Sequence, residues 1–300
     1  MGRLVYFGNE RLANAVDESG VILSSLIDAG HEVTNVVINR AERTSRKKKE
    51  DAVVKIAHTN GINVIDTWDE QHIIDLAADH DAGVLASFGR ILKDPVINAF
   101  EHGIVNIHPS LLPEFRGPTP IESAILGGLD KTGVSLMALD SQMDAGNIYA
   151  QAEHHLHDGE TKQELYETLA ELGADLLTEH LDDILSGKNT GKEQDHHLAT
   201  ITKLIIKSDG LVDWDQSATT IERQIRAFAG WPSTKATIAG HELTLTQASV
   251  TDAPGTPGEY DVIDKNIVVA CGEGSLVIEK LKPAGKGEMT TEAFLAGHKV

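Results

Sequence analysis

AGVLASFGRILKDPVINAFEHGIVNIHPSLLP, residues 82–113, reads as a strand, a short helix and a second strand cut off by proline. Ala82, Gly83, Val84, Leu85 and Ala86 make one short apolar run, and Ile104, Val105 and Ile107 mark another. Runs of this length suit buried strands. Pro109 ends the second one, because it cannot donate to a ladder and it biases His108 toward an extended backbone. The same alternation extends toward the N-terminus. An apolar strand at 4–7 is followed by helical spacing over 16–29, carried by Ile22, Leu23, Leu26 and Ile27. A second strand at 32–39, a helix at 50–60 stopped by Gly61, a third strand at 62–65 and a helix around 73–78 complete the series. Strands alternating with crossover helices predict an α/β domain on a doubly wound, largely parallel sheet. Ligands bind such sheets beyond the carboxyl ends of the strands. Asn106 and the segment Ala86-Ser87-Phe88-Gly89 fall at two of those ends.

Past this region a long helical pattern runs over 162–185 through Leu165, Leu169, Leu172, Leu176 and Leu177. Residues 186–197, SGKNTGKEQDHH, are polar and without periodicity. Short β-type runs then appear at 235–238, 242–245, 262–263, 267–269 and 275–278, separated by glycine turns, with one helix at 218–228. A small β-barrel carrying a single helix fits that pattern. The expected organisation is a catalytic domain over 1–187, a linker over 188–206 and a second domain over 207–300. The chain's 300 residues leave room for both.

Bulk properties narrow the function classes. No apolar run approaches the ~20 residues of a membrane span, and the N-terminus lacks the form of a signal peptide. Cys271 is the single cysteine, which rules out an intramolecular disulfide and suits the cytoplasm. A net charge of −20, from 46 acidic and 26 basic residues, argues against a broad grip on phosphate backbones. A local grip is still open, since Arg40, Arg43, Arg46, Lys47, Lys48 and Lys49 form one basic cluster. The first loop is not G-x-G-x-x-G, so the dinucleotide fingerprint is absent.

Strand alternation puts Asn106 and His108 on one side, while Met143-Asp144-Ala145-Gly146-Asn147 places a carboxylate just before a turn. These residue types suit acyl transfer from an activated amide to an amine. Negative charge on the carbonyl oxygen needs positioned donors, which Asn106 and a protonated His108 supply. The amine must lose a proton and the leaving nitrogen must gain one. By residue type alone, a buried hydrogen-bonded pair and an ordinary turn explain the same residues better than catalysis does. His154-His155-Leu156-His157-Asp158 invites a metal reading, but alternate strand residues make poor joint ligands and no cysteine supports zinc. No metal is expected.

The run NIHPSLLPEFRGPTPIESAI at 106–125, followed by DSQMDAG at 140–146, resembles the signature of the folate-dependent formyltransferases. The resemblance implies that Asn106 holds the formyl oxygen, His108 stabilises the oxyanion and Asp144 organises proton movement. It implies 10-formyltetrahydrofolate as formyl donor. The folate would lie near Ser87, Phe88, Gly89, Arg90, Ile91 and Leu92, against the loop of Ser110, Leu111, Leu112 and Pro113, and beside Asp140, Ser141, Gln142 and Met143. Arg116 and Gly117 would form the rim. Asp209-Gly210-Leu211-Val212-Asp213-Trp214, Trp231-Pro232 and Leu281-Lys282-Pro283-Ala284-Gly285-Lys286 resemble the C-terminal domain of methionyl-tRNA formyltransferases. That implies a Rossmann-like domain followed by an OB-like, tRNA-binding barrel, in a cytoplasmic monomer that formylates initiator methionyl-tRNA. The basic cluster would then meet the acceptor arm. It is shorter than the family's basic loop and lacks its glycines and prolines, and the first loop, around Asn9-Glu10-Arg11, lacks the family's threonine–proline pair. A sugar-nucleotide N-formyltransferase with an appended domain is the alternative, and it has no use for the basic cluster. A non-catalytic tRNA-binding protein would be expected to have lost at least one of Asn106, His108 and Asp144.

Overall fold

The parallel strands predicted from alternation form one sheet because both of its faces are covered. In the computed structural model, which describes residues 1–8, 11–12, 15–16, 20–39 and 52–298, all five residues of β7 (Ile104–His108) and five of six in β1 (Arg3–Gly8) are buried. Burial on both faces is why these strands read as apolar runs. The chain divides into two units. The first comprises Met1–Pro120, Lys131–Leu156 and Glu164–Lys203; the second comprises Ile121–Asp130, His157–Gln163 and Leu204–Val300.

In the first unit β2 (Arg11–Leu12) and β3 (Ala15–Val16) pair with each other. The helix expected from residue 16 starts later, as α1 (Val21–Asp28), and β4 (Glu32–Val37) comes next. Then come α2 (Ala52–Thr59), β5 (Asn63–Ile65), α3 (Glu70–Ala77), β6 (Ala82–Ala86) and α4 (Asp94–Ile97). After β7 the chain passes through α5 (Pro120–Gly127), β8 (Lys131–Ala138), β9 (Ile148–His155) and α6 (Lys162–Leu185). The seven-stranded sheet has the order β5-β4-β1-β6-β7-β8-β9. Its first five strands are parallel, and β8 and β9 close the other edge antiparallel. The chain thus winds outward from β1 through β4 to β5, then returns to β6 on the other side of β1. That reversal creates a switch point between the carboxyl ends of β1 and β6, where Gly8 pairs with Ala86. His108 ends β7, the next strand across.

Beneath this edge Phe7 meets Phe88 and Phe100 edge-on, at 5.5 and 6.1 Å between ring centroids. They belong to a core shared with Val5, Ile73, Leu92, Val96 and Ile104. Helix α6 closes on β7 at Gly173, where a Cβ would sit 2.8 Å from Ile107 Cγ2.

The second unit has an antiparallel sheet with α7 (Ala218–Ala227) packed on it, as a small barrel-like domain should. Its strands β10 (Thr234–Ile238), β11 (His241–Thr251), β12 (Tyr260–Ile263), β13 (Asn266–Ala270) and β14 (Ser275–Pro283) run in the order β10-β11-β14-β13-β12. A short β15 (Met289–Thr290) joins β14, and α8 (Thr291–Gly297) comes after it. Ile221 and Ile225 of α7 are buried with Leu243, Leu276, Ile278 and Phe294. Ser217 caps α7 by accepting from Thr220 N.

Candidate active site

Asn106 and His108 reach the site from one strand, two residues apart, and each is 5% exposed. Pro109 turns the chain out of the sheet, and one buried hydroxyl fixes the loop beyond it. Ser135 Oγ of β8 donates to Ser110 O at 2.7 Å and accepts from Leu112 N at 3.0 Å and Gln151 Nε2 at 2.8 Å. Gln151 also donates to Leu112 O, and Ser110 Oγ to Glu114 O. The loop is thereby held to β8 and β9 along its length. At its far end Phe115 has a φ of 56°. Its carbonyl oxygen lies 3.0 Å from His108 Nε2. A carbonyl only accepts, so Nε2 carries the proton of this bond.

The other ring nitrogen, Nδ1, faces Asp144 Oδ2 at 3.7 Å. The same carboxylate oxygen accepts from Gly117 N at 2.7 Å. Asp144 stands in a left-handed conformation, with φ 49°. Two residues later Gly146 is the one type that fits, since a Cβ would lie 2.0 Å from Ala138 O. Nδ1 and Oδ2 are too far apart for a direct hydrogen bond, yet a third atom can lie at about 2.8 Å from each. A proton on Nδ1 would lie within ion-pair reach of the carboxylate. Beside them, the Asn106 carboxamide has no hydrogen-bond partner among the described residues.

The structure sorts the remaining predicted residues by what their side chains do. Phe88 and Leu92 belong to the core, whereas Gly89, Arg90 and Ile91 are exposed, with Ile91 at 86%. Ser87 has a φ of 58°, and the Arg90 guanidinium lies 4.9 Å from the centre of the Trp68 ring. Ser110 and Leu112 are buried in the wall of the loop, while Leu111 and Pro113 are half-buried. Asp140 Oδ1 accepts from Gln142 N and Ser141 Oγ, which shapes an exposed turn ending at Met143. Arg40, Arg43, Arg46, Lys47, Lys48 and Lys49 lie outside the described residues, as do Asn9 and Glu10. Among the described residues no three His, Cys, Asp or Glu side chains gather as a metal site would need.

Sequence reasoning placed Arg116 at the rim but missed its partner, Gln194. Arg116 is 8% exposed, and its Nε and Nη2 donate to Gln194 Oε1 at 3.0 and 2.6 Å. Gln194, from the segment expected to be a linker, donates in turn to Asp144 O and Gly146 O. Around them Thr202 N and Oγ1 both donate to Arg116 O, and Phe115 N donates to Thr200 Oγ1. No local pattern announces these bonds.

The family described as "Formyl transferase" matches residues 11–181, and "Formyl transferase, C-terminal domain" matches residues 204–299. The chain is 36% identical to the methionyl-tRNA formyltransferase of Methylococcus capsulatus over 284 residues, which cover 92% of each protein. Among solved structures, WlaRD, a sugar 3N-formyl transferase, superposes with a TM-score of 0.71 at 16% identity, over 96% of this chain and 99% of that one. HypX from Aquifex aeolicus, in complex with tetrahydrofolic acid, gives 0.68 at 19% identity. There the match takes in 99% of this chain and 47% of HypX. At such identities the structural likeness speaks for the fold alone. The chain belongs to the formyl transferase family, among its methionyl-tRNA formyltransferases.

Proposed function

We propose that the chain transfers the formyl group of 10-formyltetrahydrofolate to the amino group of initiator methionyl-tRNA. The observation that carries the chemistry is the gap between His108 Nδ1 and Asp144 Oδ2, 3.7 Å wide, beside an Asn106 amide that has no partner among the described residues. One reacting atom can bridge the gap while a neighbouring oxygen takes the amide N–H. A folate donor is supported by the family match and by the tetrahydrofolic acid bound in the HypX structure that shares this fold.

The amine nitrogen attacks the formyl carbon, and the bond from that carbon to the folate nitrogen breaks. Asn106 Nδ2 donates to the oxygen where negative charge develops. Asp144 accepts the proton that the amine sheds. His108 adds its positive charge when Nδ1 is protonated, and the departing nitrogen takes up a proton as its bond breaks, so that no proton is lost overall. No enzyme nucleophile is needed. Catalysis is assigned to 1–187 and tRNA contact to 207–300 together with the basic cluster, the two parts being joined by 188–206. On this reading the enzyme is a cytoplasmic monomer without a metal. The choice of acceptor rests on the relative's name and on a match that includes the C-terminal domain.

The deciding assay offers one folate donor and two acceptors, charged initiator tRNA and an amino-sugar nucleotide. Formylation of the tRNA at far higher kcat/KM is expected. Preference for the sugar nucleotide would overturn the acceptor and keep the chemistry.

A further inference from the structure

Gln194 stands in a polar stretch with no periodicity, yet it is only 4% exposed. Its carboxamide uses both acceptor positions and both donor hydrogens. Oε1 accepts from Arg116 Nε at 3.0 Å and Nη2 at 2.6 Å. Nε2 donates to Asp144 O at 2.9 Å and Gly146 O at 2.7 Å. The two segments so joined are the ones whose meeting makes the site. Arg116 immediately precedes Gly117, whose N–H holds the Asp144 carboxylate. Asp144 keeps a left-handed φ of 49°, which a residue with a Cβ adopts reluctantly. Such backbone persists where its surroundings over-determine it. Here one side chain grips the carbonyl of the strained residue and that of the glycine two positions on.

We propose that Gln194 is a positioning residue for the reaction. It holds the Asp144 turn so that the carboxylate faces His108 Nδ1, and it locks that turn to the loop bearing Arg116 and Gly117. The role rests on the assignment of Asp144 to the chemistry. A carboxamide is the group required, because one end must accept from a guanidinium while the other donates to two carbonyls. A glutamate would still serve Arg116 but would offer the carbonyls no N–H.

The test is a double-mutant cycle in the full chain. Gln194→Ala, Gln194→Glu and Asp144→Asn are compared singly and combined, with kcat and KM measured for charged initiator tRNA and the folate donor. Loss of positioning should lower kcat by about 10- to 100-fold, with both KM values within about threefold of the parent. In the Asp144→Asn background the same Gln194 changes should cost less than about threefold more, because they act through a group already disabled. Gln194→Glu is nearly isosteric and keeps the Arg116 contact, so it carries the test even where the alanine variant melts early. A folded Gln194→Glu enzyme with unchanged kcat would overturn the proposal, and so would an undiminished further loss in the Asp144→Asn background. Full activity of Asp144→Asn alone would instead overturn the assignment of Asp144, which the same cycle reveals.

Discussion

Replacing Asp144 by Asn removes one charge and almost nothing else. Asn adopts left-handed backbone as readily as Asp, so the φ of 49° is tolerated. Its amide oxygen can still accept from Gly117 N, which now lies 2.7 Å from Oδ2. What disappears is the negative charge 3.7 Å from His108 Nδ1, in a site where the two side chains are 6% and 16% exposed. At an effective dielectric near 20, unit charges about 4 Å apart attract by roughly 4 kcal/mol. The partial exposure of Asp144 trims that to roughly 2–4 kcal/mol, which at about 1.4 kcal/mol per tenfold is a loss of about 30- to 1,000-fold in rate. On the proposed mechanism the variant also loses its proton acceptor, which moves the expectation toward the upper end. The whole effect should fall on kcat, since the charge matters when positive charge appears on the ring or a proton leaves the amine. Initial rates of formylation, with each substrate varied in turn, separate kcat from KM, and a thermal melt checks the fold. A kcat within threefold of the parent, in a protein with an unchanged melt, would refute the electrostatic account.

Ser135→Ala leaves Leu112 N and Ser110 O without their buried partner, and should destabilise the first unit by about 2–5 kcal/mol in urea titrations. Lys162 and Glu122 form a buried pair at 3.8 Å, with Lys162 Nζ also donating to Trp231 O. Burial holds the Glu122 carboxyl above its ordinary 4.5 despite Lys162, so the folded chain keeps a proton that the unfolded chain has released. Its contribution to stability therefore falls as pH rises from 4.5 through the folded value, and Glu122→Gln should flatten that slope in urea melts taken across this window. Neutralising Arg43, Arg46, Lys47, Lys48 and Lys49 together should raise KM for tRNA and weaken its salt dependence, leaving KM for the folate unchanged in steady-state assays.

The parallel half of the sheet was legible because its signal is local. The run at 82–86 became β6 without change, and the run at 104–107 gained only His108. The two antiparallel strands, β8 and β9, were not read. Lys131–Ala138 carries Thr132 and Ser135 at buried positions, which breaks the apolar pattern, and the reason for Ser135 lies 25 residues away at Ser110. The proposed triad was named by resemblance, whereas the bonds that hold its members in place were not legible. Gln194 bonds to partners 50 and 78 residues distant, and a polar residue in a polar stretch gives no sign of being buried. Predicted folate residues such as Phe88 and Ser110 have side chains buried in the core or in the wall of the loop, which spacing alone does not distinguish from lining a pocket.

The bond from His108 Nε2 to Phe115 O has an evolutionary side. A tautomer held by a carboxylate side chain can be lost through a single codon change. Here the acceptor is a main-chain oxygen, which every residue type at position 115 would supply. The proton's location on the ring is therefore insulated from drift at the contacting position, and exposed instead to anything that shifts the loop as a body. Variants that disturb His108 should thus map to the anchors of that loop, Ser135 and Gln151 among them, rather than to the residue it touches.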